Sequence, residues 1–405
     1  MPDDVHAALA DVVKRERLLV VASLIRVFGD WDLADDVFAE ATERALRRWP
    51  IDGIPANPGA WLTTTARRRA IDVVRRRAVE SGKLAEVAMQ ESQEAGDAPT
   101  IENDRLRLMF TCCHPALPLD ARVALTLKVV AGLPTAAVGR AFLVSEQTIG
   151  KRLQRAKQKI ANAGIPYRVP TEQMLPERLD GVLAVVYLIF TEGWAGDADG
   201  ALAEEAIRLG RVLLELLPRS DESRALLALM LLQHARRDAR TVDGNLVTLE
   251  DQDRSRWDTD AIGEALALLR APARERGSYR VQAEIAAVHA RAPHADHTDW
   301  PEIVVGYDEL LRIQPSPVVA LNRAVAIGMA DGPHAGLAVL DELAGDPRLS
   351  GYHPLHAARG ELLARAGQPV EGAIELERAA ELAPTEQERT QIRRRLTSLR
   401  SAGVE

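Results

Sequence analysis

Positive charge is concentrated in one short stretch of this sequence. The segment Ala66–Arg77 holds six arginines and one carboxylate, in a chain whose formal net charge is −8. Guanidinium groups can form bidentate hydrogen bonds with phosphate oxygens or guanine edges, so the cluster could bind nucleic acid. A solvated surface and a membrane-surface helix are the alternatives, although small Ala and Val side chains suit a helix bundle better than a lipid surface.

A helical wheel of 100° per residue divides this segment into two faces. An arc of about 120° holds the apolar side chains: Leu62, Ala66, Ala70, Val73 and Val74. The opposite face holds four arginines: Arg68, Arg69, Arg75 and Arg76. The pattern therefore predicts an amphipathic helix over 60–77 whose four arginines face DNA.

A second candidate segment, Leu133–Ile160, is typical of a helix, a short turn and another helix, with Ser145 suited to cap the latter. Its core face would hold Ile149, Leu153, Ala156 and Ile160. Its opposite face would hold Gln147, Lys151, Gln154 and Gln158, flanked by Arg152, Arg155, Lys157 and Lys159. Because glutamine and lysine reach base edges while arginine binds phosphates, the layout predicts a recognition helix for the major groove.

These segments must be positioned by a mostly helical protein. The 405 residues include 47% hydrophobic and only 4% aromatic residues. Residues 1–168 carry 25 Lys+Arg against 21 Asp+Glu, a net of +4, and the remainder 26 against 38, a net of −12. The basic part suits nucleic acid. The longest uncharged apolar run, Val182–Phe190, is too short for a membrane span, and no signal peptide is visible, so we expect a cytoplasmic protein with no membrane partner.

Sequence patterns for catalysis or metal binding are weak. Adjacent Cys112 and Cys113 cannot easily present both sulfurs to one tetrahedral ion, so we expect buried reduced thiols, with a redox sensor as the alternative. His294 and His297 form a loose pair without a spaced cysteine or carboxylate set. The sequence also lacks a convincing phosphate loop or nucleophile elbow. We therefore expect no metal, no cofactor and no enzymatic activity.

Composition divides the chain into four segments. They are a helical domain (1–78), a linker with seven acids against one lysine (79–104), a helix-turn-helix domain (105–165) and a helical block (170–405).

An internal repeat lies in the last block, where Arg323–Leu340 and Arg359–Leu376 align at an offset of 36. The matched pairs are Arg323/Arg359, Ala330/Ala366, Pro333/Pro369, Gly336/Gly372 and Leu340/Leu376. Small residues at a helix crossing and a proline-marked turn resemble the tetratricopeptide pattern, whose repeats stack into a superhelix that binds proteins or peptides. A helical domain without a ligand is the alternative.

Three segments together resemble the extracytoplasmic-function sigma factors of bacterial RNA polymerase, within the sigma-70 family. They are an acidic DD-x-x-x-E helix in Asp30–Leu46, an AWL…AR…AID helix in Asn57–Arg76 and the helix-turn-helix in Leu117–Lys157. Their order matches sigma domains two and four. The helical block is similar to a subgroup with a tetratricopeptide-like extension. The resemblance implies an all-α fold with two small sigma domains, a flexible linker and a helical-repeat domain, and a function in promoter recognition.

The resemblance also implies contacts with core RNA polymerase. The helix over 33–49 would dock on the β′ coiled coil of core RNA polymerase, which is basic, and the β flap is a further expected contact. Asp35, Asp36 and Glu40 would supply the complementary charge, and Phe38 would pack at that interface. An ordinary solvated acidic helix is the alternative.

Roles in promoter binding follow from the same resemblance. Arg68, Arg69, Arg75 and Arg76 would hold phosphates of the minus-ten element as the strands separate. Asn57 would help to capture a flipped base, or form a turn before Pro58, and Trp61 would stack on a base or belong to the core. The second helix of the helix-turn-helix would bind the minus-thirty-five element through Gln147, Lys151 and Gln154. Arg152 and Arg155 would contact phosphates.

Two features depart from the family pattern. Leu143 stands in the helix-turn-helix turn, where relatives often have glycine, and Gly150 lies inside the recognition helix. Both affect the assignment of individual bases more than the DNA-binding role.

Other functions remain open at this point. A conventional helix-turn-helix regulator would bind duplex DNA without polymerase, and a scaffold would act through its repeats alone. In the sigma-factor interpretation the C-terminal repeats would regulate the protein by an intramolecular contact or an outside protein partner, in a direction that the sequence leaves open.

Overall fold

The computed structural model describes residues 2–81, 101–142, 144–196, 201–242 and 245–402. The chain divides into two compact units, Met1–Leu209 and Gly210–Glu405. Across the described ranges the structure is helical except for turns, loops and one short antiparallel hairpin, which confirms the all-α class. No helix among these residues combines the length and apolar character that a membrane crossing needs.

Three long helices begin the first unit: α1 (Pro2–Phe28), α2 (Trp31–Asp52) and α3 (Pro58–Ser81). Asp30 caps α2 by accepting a hydrogen bond from the Leu33 backbone N–H at 2.9 Å. α2 packs on α1 and α3 through Leu33, Ala34, Val37, Phe38, Ala41, Ala45 and Trp49. On α3, Leu62, Ala66 and Ala70 are fully buried, which confirms this part of the predicted apolar face, whereas Val73 and Val74 are half-buried.

The helix-turn-helix follows in the same unit. The domain that contains it has the helices α4 (Ile101–Cys112), α5 (Leu119–Leu125) continued by a π-helical turn (Thr126–Val130), α6 (Thr135–Ala141) and α7 (Glu146–Asn162). The helix-turn-helix itself consists of α6 and α7. The predicted cap is confirmed, because the Ser145 hydroxyl accepts from the Thr148 N–H at 3.2 Å. The predicted α7 core is buried at Ile149, Leu153, Ala156 and Ile160. Leu143 and most of the acidic linker lie outside the described residues.

The first unit continues beyond the predicted end of the helix-turn-helix domain at residue 165. It includes α8 (Leu175–Gly196) and the first part of α9 (Ala201–Leu216). α8 packs on α4 and α5, and the Arg178 guanidinium donates to the Phe110 carbonyl at 2.7 Å. The apolar run around Val182–Phe190 therefore contributes to the core of the first unit.

Stacked helices form the second unit. They are α10 (Asp221–His234), α11 (Arg237–Arg240), α12 (Thr259–Arg270), α13 (Ser278–Arg291), α14 (Trp300–Ile313), α15 (Pro317–Ala330), α16 (Pro333–Leu343), α17 (His353–Arg365), α18 (Pro369–Leu382) and α19 (Glu386–Ala402). The hairpin strands β1 (Thr241–Val242) and β2 (Asn245–Leu246) lie between α11 and α12. In each pair from α13 to α18, the helices pack on each other and on the next pair.

The 36-residue repeat corresponds to the hairpins α15–α16 and α17–α18. Each helix crossing leaves no room for a side chain. A Cβ on Gly336 would lie 2.7 Å from the Gly328 Cα, and one on Gly372 would lie 2.8 Å from the Gly360 carbonyl oxygen. Tight turns before Pro333 and Pro369 use Gly332 at φ +99° and Gly367 at φ +78°, which glycine adopts without strain.

Candidate nucleic-acid interface

The cationic face of α3 is displayed to solvent as the wheel predicted. Arg68, Arg75 and Arg76 are exposed. Arg69 is drawn towards α2, because its guanidinium donates to both carboxylate oxygens of Glu40, one of them at 3.3 Å. That hydrogen bond raises the pKa of Arg69. Arg77, outside the predicted set, pairs with Asp30 at 3.0 Å.

The loop before α3 has a local structural role. The Asn57 Oδ1 accepts a hydrogen bond from the Ala60 N–H at 3.0 Å, so this side chain forms the turn that begins α3. Asn57 remains exposed. The Trp61 ring is half-buried and meets the ring of buried Trp49 edge-on at 5.6 Å. Trp61 is therefore partly a core residue.

The recognition helix α7 displays most of its predicted DNA-binding side chains. Gln147, Lys151, Gln154 and Arg155 are exposed. Arg152 differs, because its guanidinium pairs with Asp120 at 3.2 Å and lies 5.2 Å from the centre of the Phe142 ring. These contacts hold Arg152 against α5 and the end of α6, so its guanidinium already has partners within the same domain.

The four residues predicted to bind polymerase are placed in different environments on α2. Asp36 and Glu40 are exposed, and Glu40 holds Arg69. Asp35 has only 18% of its side chain exposed. Phe38 is 4% exposed because it shares the buried face of α2, so its ring is not presented to a partner in this conformation.

Sequence patterns did not single out the residue that organises the Asp35 environment. The Arg17 guanidinium donates to Asp35 at 2.5 Å and to the Val129 carbonyl at 2.7 Å. Burial lowers the pKa of Arg17, and the adjacent Asp35 opposes that shift. An arginine on an otherwise mixed helix carries no motif, and only its neighbours reveal its importance.

Comparisons with known proteins match both DNA-binding segments. Residues 12–79 match the family described as sigma-70 region 2, and residues 107–160 match sigma-70 region 4. A protein named probable ECF RNA polymerase sigma factor SigI, from two strains of Mycobacterium tuberculosis, is 24% identical over 226 residues, which cover 52% of this chain and 77% of the relative. The chain belongs to the extracytoplasmic-function sigma factors.

The C-terminal extension of this sigma factor also has relatives. Residues 178–273 match a family of unknown function (DUF6596). An uncharacterized protein of Rhizobium meliloti is 43% identical over 394 residues, which cover 94% of this chain and 93% of that protein. Similarity to this relative therefore extends over nearly the whole sigma factor, including the extension.

The two thiols of the sigma factor lie in the core of region 4. Burial raises the pKa of Cys112 well above its usual range and that of Cys113 to about 11. Cys113 also lies 3.5 Å from the Thr126 hydroxyl. Reactive thiols need an accessible thiolate, so this environment disfavours redox sensing. Within the described ranges, no cluster of three His, Cys, Asp or Glu residues is arranged to hold a metal.

Proposed function

We propose that this sigma factor docks on the β′ coiled coil of core RNA polymerase through α2 and on the β flap through region 4. The exposed carboxylates of Asp36 and Glu40 on α2 support the first contact, together with Asp35 once it is released. Complementary charge steers such encounters and fixes their orientation, so the acidic α2 suits a basic coiled coil.

Within the promoter, α3 holds the minus-ten element and α7 binds the minus-thirty-five element. The observation that carries this assignment is the set of exposed arginines on one face of α3, inside the segment that matches region 2. Arg68, Arg75 and Arg76 contact phosphates without regard to sequence. On α7, the exposed Gln147, Lys151 and Gln154 reach base edges.

Promoter-dependent transcription with purified core polymerase tests this assignment. Arg75→Glu with Arg76→Glu places two repelling charges on the phosphate-binding face, and we expect transcript yield to fall at least about 100-fold at moderate salt. The matched control is Arg393→Glu with Arg394→Glu, an adjacent exposed pair on α19, which should keep the wild-type yield. Wild-type yield from the α3 variant would contradict the assignment, and DNA binding without polymerase binding would favour a conventional regulator.

The second part of the proposal is that the C-terminal extension regulates this activity. A cavity of about 850 Å³ in the second unit supports it. Its wall includes His289 of α13, Val325 of α15, Ala358 of α17 and Ile392 of α19, and the segment between α11 and α12 supplies Leu249. This volume lies within the range of about 300–1,000 Å³ that is typical of small-molecule sites.

Transcript yields of the full chain and of a fragment ending at Leu209 test this regulation. An altered yield, in either direction, is expected from the fragment. Equal yields at matched polymerase occupancy would show that the extension has no regulatory effect on initiation.

A further inference from the structure

Two lysines of region 4 reach across to the acidic helix of region 2. The Lys157 ammonium on the recognition helix lies 2.5 Å from Asp32, and the Lys128 ammonium lies 3.7 Å from Asp35. Only 15% of the Lys157 side chain and 23% of the Lys128 side chain are exposed. Both cations are therefore largely withdrawn from solvent while they face carboxylates of α2.

Arg17 completes this cross-domain contact. It donates to Asp35 of region 2 and to the Val129 carbonyl of region 4, and its own side chain is 15% exposed. Gly132, at φ +81°, lets the backbone of region 4 come close, since a Cβ there would lie 2.7 Å from the Arg17 Cδ. Asp35 thus receives positive charge from both sides of the boundary between the domains.

Neighbouring contacts hold the same two surfaces together. Arg26 on α1 pairs with Asp104 on α4 at 2.9 Å, and only 5% of the Asp104 side chain is exposed. The Tyr167 hydroxyl donates to the Ala22 carbonyl of α1 at 2.9 Å. α1 also packs directly on α4. The lysine contacts therefore belong to an extended interface rather than to isolated surface ion pairs.

We propose that Arg17, Lys128 and Lys157 with Asp32 and Asp35 form an intramolecular clasp that must open before the sigma factor binds core polymerase. This proposal rests on the proposed docking of α2. The clasp pairs Asp32 and Asp35 of α2 with cations of the same chain, while Asp36 and Glu40 stay exposed. A basic polymerase coiled coil that engages Asp35 therefore competes with region 4 for this carboxylate. The recognition helix is restrained by the same contact through Lys157.

The competition has a defined thermodynamic form. When only a fraction of the molecules is open, the apparent affinity for polymerase is reduced by that fraction. Weakening the clasp therefore strengthens polymerase binding, which is the opposite of what loss of a direct contact would do. The clasp residues of region 4 provide this distinction because they are not part of α2.

Lys157→Glu tests the clasp in the full-length protein, since it places a carboxylate against Asp32. Two readouts are measured in parallel. One is the affinity for core polymerase without promoter DNA. The other is the distance between probes at Thr64→Cys on α3 and Ala161→Cys on α7, both exposed, while native Cys112 and Cys113 are buried. We expect a longer probe distance and affinity about three- to tenfold higher.

Two further variants keep the experiment specific. Lys159→Glu makes the same charge change on the exposed side of α7 and should leave both readouts unchanged. The charge swap Asp32→Lys with Lys157→Glu should restore the short probe distance.

The outcomes separate the clasp from the function on which it rests. If Lys157→Glu changes neither readout while wild-type protein binds polymerase, the clasp is overturned and the docking proposal stands. If Lys157→Glu lengthens the probe distance but the charge swap fails to shorten it, the pairing of Asp32 with Lys157 is overturned. If no variant binds polymerase, including the wild type, the docking proposal itself fails, and the probe distance still reports whether the two domains separate.

Discussion

Charged residues connect different kinds of segments in the two units. In the first unit they join helices that are distant in sequence, as in Lys157 with Asp32, which are 125 residues apart. In the repeats of the second unit they join successive hairpins, as in Arg323 with Asp308, 15 residues apart, and Arg359 with Asp341, 18 residues apart. The first arrangement depends on how domains pack, whereas the second follows from the repeat itself.

The contrast explains why one unit suits a switch and the other a scaffold. Contacts between distant segments form and break together when domains separate. Contacts between adjacent repeats stabilise each step of a stack, so the array responds locally to a change. Arg365, which pairs with Glu250 from the segment between α11 and α12 at 2.7 Å, is an exception inside the second unit.

The largest expected effect is on folding, and it depends on the residue at which the first unit is truncated. A fragment ending at Arg168 loses α8, which buries Val182, Val186 and Phe190 in the unit's core. Each such side chain contributes about 1.5–3 kcal/mol, and together they approach the stability of a whole domain. We expect this fragment to lack a cooperative thermal transition by circular dichroism, while a fragment ending at Leu209 retains one. Equal transitions would mean that region 4 folds from local contacts alone.

The helix crossing at Gly336 tests whether contacts between adjacent helices stabilise the second unit. Gly336→Ala places a Cβ 2.7 Å from the Gly328 Cα, so the hairpin α15–α16 must open. We expect the free energy of unfolding, from urea titration, to fall by about 1–3 kcal/mol. Gly263→Ala on α12 is the control, since open space surrounds that position and alanine favours helix by about 0.5–1 kcal/mol. Destabilisation by both variants would contradict the assignment of the Gly336→Ala effect to the close helix crossing.

Acid should weaken the second unit through His289. Burial, together with Arg236 and Arg254, lowers the pKa of His289 to about 4. The unfolded chain, with an ordinary histidine pKa of about 6.5, binds the proton more tightly. Stability is therefore lost as pH falls from about 6.5 towards 4, by roughly 1–2 kcal/mol at pH 5.

Urea unfolding at pH 7.5 and pH 5 measures this contribution. His289→Gln should show a smaller loss on acidification than wild type. His294→Gln, at an exposed histidine, should behave like wild type. An unchanged loss in His289→Gln would assign the acid sensitivity to other groups.

The smallest effect is expected at Gly150 in the recognition helix. A Cβ there meets no atom within 4 Å, so Gly150→Ala should stabilise α7 by about 0.5–1 kcal/mol in thermal unfolding. We expect promoter affinity, by fluorescence anisotropy with polymerase present, to change less than about twofold. A large fall in affinity would instead show that DNA approaches this backbone closely.

Periodicity in the sequence predicted several features because each depends on a single helix. The apolar stripe of α3, the Ser145 cap and the buried face of α7 follow from spacing along one chain segment. The repeat was also visible, since a glycine at a helix crossing must recur with the hairpin. Spacing indicates which face is buried, but it does not name the element that covers it.

Several placements could not be predicted for that reason. Asp35 is paired with Arg17 and Lys128 rather than displayed, and Arg152 is held by Asp120. α8 belongs to the core of the first unit although its sequence position follows the predicted domain end. The assignments of α2 to polymerase and of α3 and α7 to promoter DNA stay predictions that the transcription experiments address.

The sequence alone determined the helical class, the two DNA-binding segments and the repeat, because these arise from local periodicity and short motifs. Only the tertiary structure decided which charges are available. An arginine or carboxylate has the same sequence signature whether it faces solvent, as Arg76 does, or another domain, as Asp35 does. Availability depends on long-range packing, in which Arg17, Lys128 and Lys157 meet α2.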